Sequence, residues 1–253
     1  MKLVKQMSAS LTALALALAI PVIGQNQELP RRSSDEIRHI NAAARVLEEI
    51  MATPDKGIPE EILSSAKCVA VVPSMMKSGF LVREKFGKGV TTCRTSKGWS
   101  GPAPFTVTGG SWGLQFGGEA VDLLMLVMND KGMRALQANK LQLGSEGSVA
   151  AGPVGQQVDP AVDWKTRSEV LTYSRARGRF TGIELNGAII KQDEDQTKSL
   201  YGKLVPFRSI LGGKLPPPEG TESFLSAVQR YAQARGTTST GTIPAGTQVS
   251  GLY

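Results

Sequence analysis

The stretch "GKGVTTCRTSKGWSGPAPFTVTGGSWGLQFGGEAVDLLMLVMN", Gly87 to Asn129, decides the fold class. Short β-branched or apolar runs alternate in it with glycine, proline and serine, a pattern typical of consecutive strands joined by turns. Glycine also recurs inside the runs, where it weakens a strand and usually marks a bulge, a bend or the close approach of another backbone. We therefore predict a glycine-rich, curved sheet over this stretch.

Similar runs precede and follow it. "KCVAVVP" starts at Lys67 and "GFLVREKF" at Gly79, while "SEVLTYSRA" starts at Ser168 and "RFTGIELNGAII" at Arg179. Each run is short and bounded by turn residues, which indicates strands that follow one another with short connections. Short connections favour antiparallel pairing. We predict one mainly antiparallel sheet or half-barrel.

The segment "SSDEIRHINAAARVLEEIMATP", Ser33 to Pro54, has the pattern of an amphipathic helix. Ser33 and Glu36 are spaced as a capping box, and apolar residues recur at helical spacing at Ile37, Ile40, Ala44, Leu47 and Met51. Such a helix either covers a sheet or lies on a membrane surface, and we favour core packing. "IPEEILSSA", residues 58–66, predicts a second, short helix.

Three further segments predict helices. "DKGMRALQANKL" begins at Asp130, which we expect to be its cap; the acidic turn Asp193–Asp195 precedes a short helix; and "TESFLSAVQRYAQAR" begins at Thr221. The predicted fold class is α+β, with a glycine-rich, curved, mainly antiparallel sheet or half-barrel covered by N- and C-terminal amphipathic helices. Between the last two helices, "VPFRSILGGKLPPPEG" predicts an irregular connection.

The first residues resemble a secretory signal peptide. Lys2 and Lys5 precede an apolar run, Leu11 to Ile20, that ends at Pro21. We predict cleavage after Gly24, with an uncleaved anchor helix as the alternative. The predicted organisation is a signal peptide (1–24), a polar leader (25–32), one domain (33–235) and a disordered tail (236–253). The protein would then be exported, periplasmic or secreted, with peripheral membrane association as one option.

The two cysteines, Cys68 and Cys93, each lie in a predicted strand. An even number of cysteines in an exported chain permits a disulfide, and two buried free thiols are the alternative. The chain has no C-x-x-C motif, and His39 is its single histidine. These residues offer no metal-ligand pattern, so we expect no metal and no cofactor.

Catalytic motifs are weak. Gly109–Gly113 fits the G-x-S-x-G pattern, but a nucleophile elbow needs a helix after Ser111 and a histidine later in the chain. Strand-like sequence follows Ser111 instead, and His39 precedes it. We predict that Ser111 belongs to the sheet and that the protein is not an enzyme, with a serine hydrolase as the least favoured hypothesis.

Positive charge predominates and is clustered. The chain has 29 Lys and Arg residues against 22 Asp and Glu, and removal of the signal peptide lowers this excess by two. Lys85 and Lys88 lie in a mainly basic stretch, and Arg175, Arg177 and Arg179 alternate, which would place all three on one face of a strand. Export argues against nucleic acid, so anionic lipid is the favoured partner. A solvated basic face without a specific partner is the alternative.

Several motifs in the same order resemble the SYLF domain family: "AVVPSMMKSGFLV", Gly87 to Asn129, "GPVG" and "EVLTYSRARGRFTGIELNGAIIKQDEDQTKSLYG". The resemblance runs from about Ser33 to Ala234. It implies a lipid-binding, membrane-associated module without catalysis. Eukaryotic relatives bind phosphoinositides through an N-terminal amphipathic helix and basic residues, and fungal relatives also bind and bundle actin.

Carried over to this chain, the resemblance makes the helix from Ser34 to Met51 the membrane-facing element, with Arg38 and Arg45 as its arginines. The resulting prediction is an exported lipid-binding module that uses a set of basic residues: Arg175, Arg177, Arg179, Lys85, Lys88, Arg38 and Arg45. The alternative is a structural or interaction protein of the cell envelope that docks a protein partner.

Overall fold

The computed structural model describes residues 28–52, 57–75, 86–111, 121–144, 149–155, 168–176, 179–183 and 185–233. The helices are α1 (Glu28–Met51), α2 (Glu60–Ser65), α3 (Asp130–Gln137), α4 (Glu194–Tyr201), α5 (Phe207–Leu211) and α6 (Glu222–Ala232). The strands are β1 (Cys68–Met75), β2 (Phe86–Thr95), β3 (Gly98–Trp99), β4 (Ala103–Ser111), β5 (Val121–Val127), β6 (Leu141–Gln142), β7 (Val149–Ala151), β8 (Val170–Ala176), β9 (Arg179–Gly182) and β10 (Asn186–Gln192).

These strands form one sheet in the order β6-β10-β4-β2-β1-β5-β8-β7, with β3 added to β2 and β9 to β8. Every pairing is antiparallel except that of β7 with β8. The sheet curls into a half-barrel, so that residues of strands far apart in the order share one apolar cluster. The predicted fold class is confirmed.

Both faces of the sheet are covered. Side chains alternate between faces along a strand, so Cys68 and Ala70 of β1 belong to the cluster beneath α3 and α5, while Val69 and Val71 face α1 and α6. The apolar side of α1 is buried in this second cluster at Ile40, Ala43, Ala44, Val46, Leu47 and Ile50. The prediction that this helix packs against the core is therefore confirmed.

The first and last described helices pack together in the same layer. Glu48 of α1 lies 3.5 Å from Arg230 of α6, and the Ser223 hydroxyl hydrogen-bonds the side chain of Asn41. Phe224 and Val228 of α6 are fully buried in the cluster that contains the apolar side of α1. The layer over this face is thus built from both ends of the described chain.

Several predicted boundaries were wrong. Helix α1 starts at Glu28 rather than at Ser33, because Pro30 falls in the first turn, where its missing N–H is not needed. Asn129, not Asp130, caps α3 by accepting a hydrogen bond from the Gly132 N–H. The run from Arg179 is two strands, β9 and β10, and the predicted irregular connection contains α5.

Other predictions agree with the structure. The Asp193 side chain caps α4 by accepting a hydrogen bond from the Gln196 N–H. Cys68 and Cys93 face each other across β1 and β2 and form a disulfide in the fully buried core. The disulfide joins two central strands and links residues 25 positions apart in the sequence.

Arg94 of β2 connects the sheet to the ends of two helices. Its guanidinium donates hydrogen bonds to the carbonyl oxygens of Ser64, Ala66 and Ala232, at the C-terminal ends of α2 and α6. Its guanidinium carbon also lies 4.5 Å from the centre of the Trp99 ring. A cation is stabilising at a helix C-terminus, and Arg94 serves two helices at once.

We predict that Arg94→Met lowers the free energy of unfolding by about 2 kcal/mol, because three partly buried carbonyls lose their charged donor. Lys97→Met is the matched control, since it removes the same charge from the exposed turn that follows β2. Urea denaturation of both variants measures the difference. Equal stability of the two variants would contradict this role of Arg94.

Candidate membrane-binding surface

Arg175 and Arg179 do not lie on one strand face. Arg175 is in β8 and Arg179 begins β9, with Ala176 opposite Arg179 and Arg175 opposite Phe180. Directly opposed residues of an antiparallel pair share a face, so the two arginines project from opposite faces of the sheet. The prediction that these arginines share one face of a single strand was wrong, because the alternating arginines are divided between the paired strands β8 and β9. Arg177 lies outside the described residues.

Arg175 is engaged by two carboxylates. Its Nε and Nη2 atoms donate to Asp122 Oδ2 at 2.9 and 2.7 Å, and Nη1 donates to Glu49 of α1. The second oxygen of Asp122 accepts the Ser74 N–H at 2.9 Å. Burial lowers the pKa of Arg175, but the hydrogen bonds that it donates to Glu49 and Asp122 outweigh this effect, and the pKa is raised. Arg175 therefore fastens α1 to the sheet, and a lipid phosphate would have to displace these partners.

Arg38 and Arg45 of α1 lie on its exposed side. Arg38 pairs with Asp35 one turn earlier, and Arg45 is exposed. Because the apolar side of α1 is in the core from Ile40 to Ile50, this part of the docked helix presents its polar side to the surroundings. The docked helix therefore cannot insert its apolar side into a bilayer, as a membrane-surface helix does.

Lys88 belongs to a small polar cluster between α1 and α4. Its Nζ atom lies 3.7 Å from Asp193 Oδ2, and its side chain is 59% exposed. The backbone carbonyl of Lys88 accepts a hydrogen bond from His39 Nε2 at 2.9 Å. Burial lowers the pKa of His39, the backbone hydrogen bond opposes this shift, and the net pKa is below its usual value. Lys85 lies outside the described residues.

A basic surface that the sequence analysis missed lies around α5. From Lys203 to Pro218 the chain has no acidic residue, and Lys203, Arg208 and Lys214 are all exposed. Leu204 in this stretch is 53% exposed, the highest value among large apolar side chains of the described residues. The absence of acidic residues was visible in the sequence. The exposure of Leu204 was not, because Val205 and Phe207 beside it are core residues.

A cavity of about 450 Å³ adjoins this surface. It lies between the end of α3, the end of β10, the start of α4 and the segment from Leu204 to Arg208. Its lining residues are Gln137, Ala138, Asn139, Gln192, Glu194, Leu204, Val205, Pro206, Phe207 and Arg208. The cavity thus combines apolar walls with one cation, Arg208, and one carboxylate, Glu194.

The remaining sequence motifs give no further site. Ser111 lies in β4 opposite Asn186 of β10. Over the described part of the chain, no group of three or more His, Cys, Asp or Glu side chains is placed to hold a metal ion. Among the same residues, no helix has the length and apolar character needed to cross a bilayer.

Comparison with known proteins gives consistent matches. Residues 108–231 match the Ysc84 family model, described as "Las17-binding protein actin regulator". SH3 domain-containing YSC84-like protein 1 of Rattus norvegicus is 29% identical over 212 residues, which cover 82% of this chain and 62% of that protein. The Xenopus laevis protein is 30% identical over 208 residues, 79% of this chain and 61% of the relative. Protein YSC84 of Saccharomyces cerevisiae is 28% identical over 219 residues, 83% and 46% of the two chains.

The match therefore spans 62% or less of the length of these relatives.

We predict that Arg175→Met lowers the free energy of unfolding by about 2 kcal/mol or more, because two carboxylates near the sheet lose their counter-charge. The control Arg179→Met removes the same charge from an exposed position of the same hairpin and should change stability by about 0.5 kcal/mol or less. Urea denaturation measures both. If the two variants were equally stable, Arg175 would not fasten α1 to the sheet.

A second prediction concerns pH. Because the folded pKa of His39 lies below the ordinary value of 6.5, the unfolded chain binds this proton more readily. The contribution of neutral His39 to stability is fully present above pH 6.5 and is lost as the pH falls towards the lower folded pKa. His39→Gln should reduce this loss in urea denaturation curves recorded between pH 7.5 and pH 5.5. If the free energy of unfolding changed with pH in the same way in the wild-type protein and in His39→Gln, the predicted role of His39 would be refuted.

Proposed function

Because this chain carries a domain of the Ysc84 (SYLF) family and is homologous to YSC84-like proteins, we propose that it is a non-enzymatic module that binds anionic membrane lipids. The observation that carries the proposal is the uneven distribution of exposed charge. Acidic side chains near Arg38, Lys88 and Arg175 are paired with these cations, whereas the stretch from Lys203 to Pro218 has cations alone. Near an anionic membrane, each Lys or Arg contributes about 1 kcal/mol to binding.

The basic residues predicted from the sequence differ in their suitability for this role. Arg45 and Arg179 are exposed, and Lys88 and Arg38 are exposed although each has a carboxylate neighbour. Arg177 and Lys85 remain proposed sites outside the described residues. Arg175 contributes indirectly, by holding α1 in place.

We place this function outside the cytoplasm. The proposal is supported by the signal-peptide pattern of residues 1–24 and by the disulfide between Cys68 and Cys93, since disulfides persist mainly in oxidising compartments. In that setting the module would act in the periplasm or after secretion, at the surface of a membrane.

Docking of a protein partner is the alternative function. The family description names a protein that its members bind, and the yeast relative called LAS seventeen-binding protein 3 is 26% identical to this chain over 219 residues. For this chain the corresponding activity would be association with an envelope protein. That association would lack a preference for anionic lipid.

We predict that the purified protein co-sediments with vesicles of phosphatidylcholine and phosphatidylglycerol but not with phosphatidylcholine alone. Binding should weaken from low to physiological salt, because salt screens the attraction between exposed charges. The bound fraction at the two salt concentrations measures this dependence. Failure to bind either vesicle would reject lipid binding and leave the protein-docking alternative.

A further inference from the structure

We propose that the protein meets the membrane with the surface around α5, where Leu204 enters the boundary between headgroups and acyl chains and Arg208 binds a lipid phosphate. This inference rests on the proposed function and assigns the face that performs it. We call this surface, formed by Lys203, Leu204, Pro206 and Arg208, the α5 surface. All four residues are exposed.

The position of Leu204 is the first argument. A single exposed leucine is common on protein surfaces, but this one lies on the wall of the cavity that also contains Arg208. Its neighbours Val205 and Phe207 are 5% and 3% exposed. The backbone is therefore anchored in the core directly after Leu204, and the apolar side chain of Leu204 stays exposed next to this anchor.

The support beneath the α5 surface is the second argument. The Gln192 side chain donates to the carbonyl of Val205 at 2.7 Å and accepts the Phe207 N–H at 3.0 Å. Asn139 Oδ1 in turn accepts the Gln192 N–H at 2.7 Å. These hydrogen bonds fix the backbone from Val205 to Phe207. Leu204 and Arg208 are thus presented by a preorganised segment, which lowers the entropy cost of binding.

The charge around the cavity is the third argument. Arg208 lies in its wall, and three exposed lysines, Lys140, Lys191 and Lys203, each directly adjoin a lining residue in the sequence. Glu194 is the one carboxylate among the lining residues. A guanidinium binds phosphate oxygens through two parallel hydrogen bonds, and Arg208 lies in the wall of this open cavity. Asp193 and Asp195 adjoin the lining residue Glu194 in the same way, so the charges around the cavity nearly balance, and Arg208 itself is the group that would bind the headgroup phosphate.

The α5 surface and the exposed arginines of α1 belong to opposite layers of the fold. Phe207, Ile210 and Leu211 of α5 pack in the cluster on one face of the sheet, whereas the apolar side of α1 packs in the cluster on the other. Arg45, which was predicted from the sequence to bind lipid, lies on the layer that this proposal directs away from the membrane, so its substitution tests the rival face.

The test uses the full-length protein with vesicles of phosphatidylcholine and phosphatidylglycerol. Leu204→Ser combined with Arg208→Gln should lower the vesicle partition coefficient about tenfold or more, since one apolar insertion and one phosphate contact are lost. Arg45→Gln should change it by about twofold or less, because surface charges away from the contact are screened. Urea denaturation midpoints equal to that of the wild-type protein confirm that each variant is folded.

A second measurement locates the contact directly. An environment-sensitive dye on Leu204→Cys should shift its emission to the blue when vesicles are added, and the same dye on Arg45→Cys should not. One outcome would refute the α5 surface and leave lipid binding in place. In that outcome the wild-type protein binds vesicles, Arg45→Gln weakens the binding, and the combined Leu204→Ser and Arg208→Gln changes do not. If wild-type protein binds no vesicle, lipid binding itself is refuted, and the α5 surface with it.

Discussion

Burial of both faces of the sheet is the constraint on which the rest of the structure depends. In β5, Leu123 and Met125 contact one apolar layer while Leu124 and Leu126 contact the other, and all four are fully buried. A charged side chain on such a strand must find partners inside the protein, because an unpaired buried charge is very costly. Arg94 finds helix carbonyls and Arg175 finds carboxylates. These two strand cations are thereby used for assembly, and they are not available to bind a ligand.

The sequence was most informative where local chemistry decides the structure. Glycine-punctuated runs predicted the curved antiparallel sheet, and the apolar spacing in α1 predicted its buried side. Asp193 was correctly placed at the start of α4 because capping needs only neighbouring backbone groups. The N-terminal cap of α3 was predicted one residue too late, at Asp130 instead of Asn129. Both residue types are good caps, and only the backbone conformation selects between them.

The candidate site was less predictable because exposure depends on tertiary contacts. Alternating arginines fit one long strand as well as a hairpin, although Gly178 between them was a turn signal. The partner carboxylates of Arg175 come from Asp122 and Glu49, which are distant in sequence. Likewise, Leu204 stands beside Val205 and Phe207 in an apolar run, and only packing determines which of them faces outward. The amino-acid composition indicated a basic protein, but the fold determines which basic side chains are exposed and able to contact a ligand.

The packing of α1 against α6 also has a consequence for the order of events during synthesis. Contacts such as that between Glu48 and Arg230 join residues that are 182 positions apart, so α1 must wait for nearly the whole described chain before its layer is complete. Such long-range closure is slow relative to local folding. A nascent chain of this kind cannot complete the layer of α1 and α6 until late in translation.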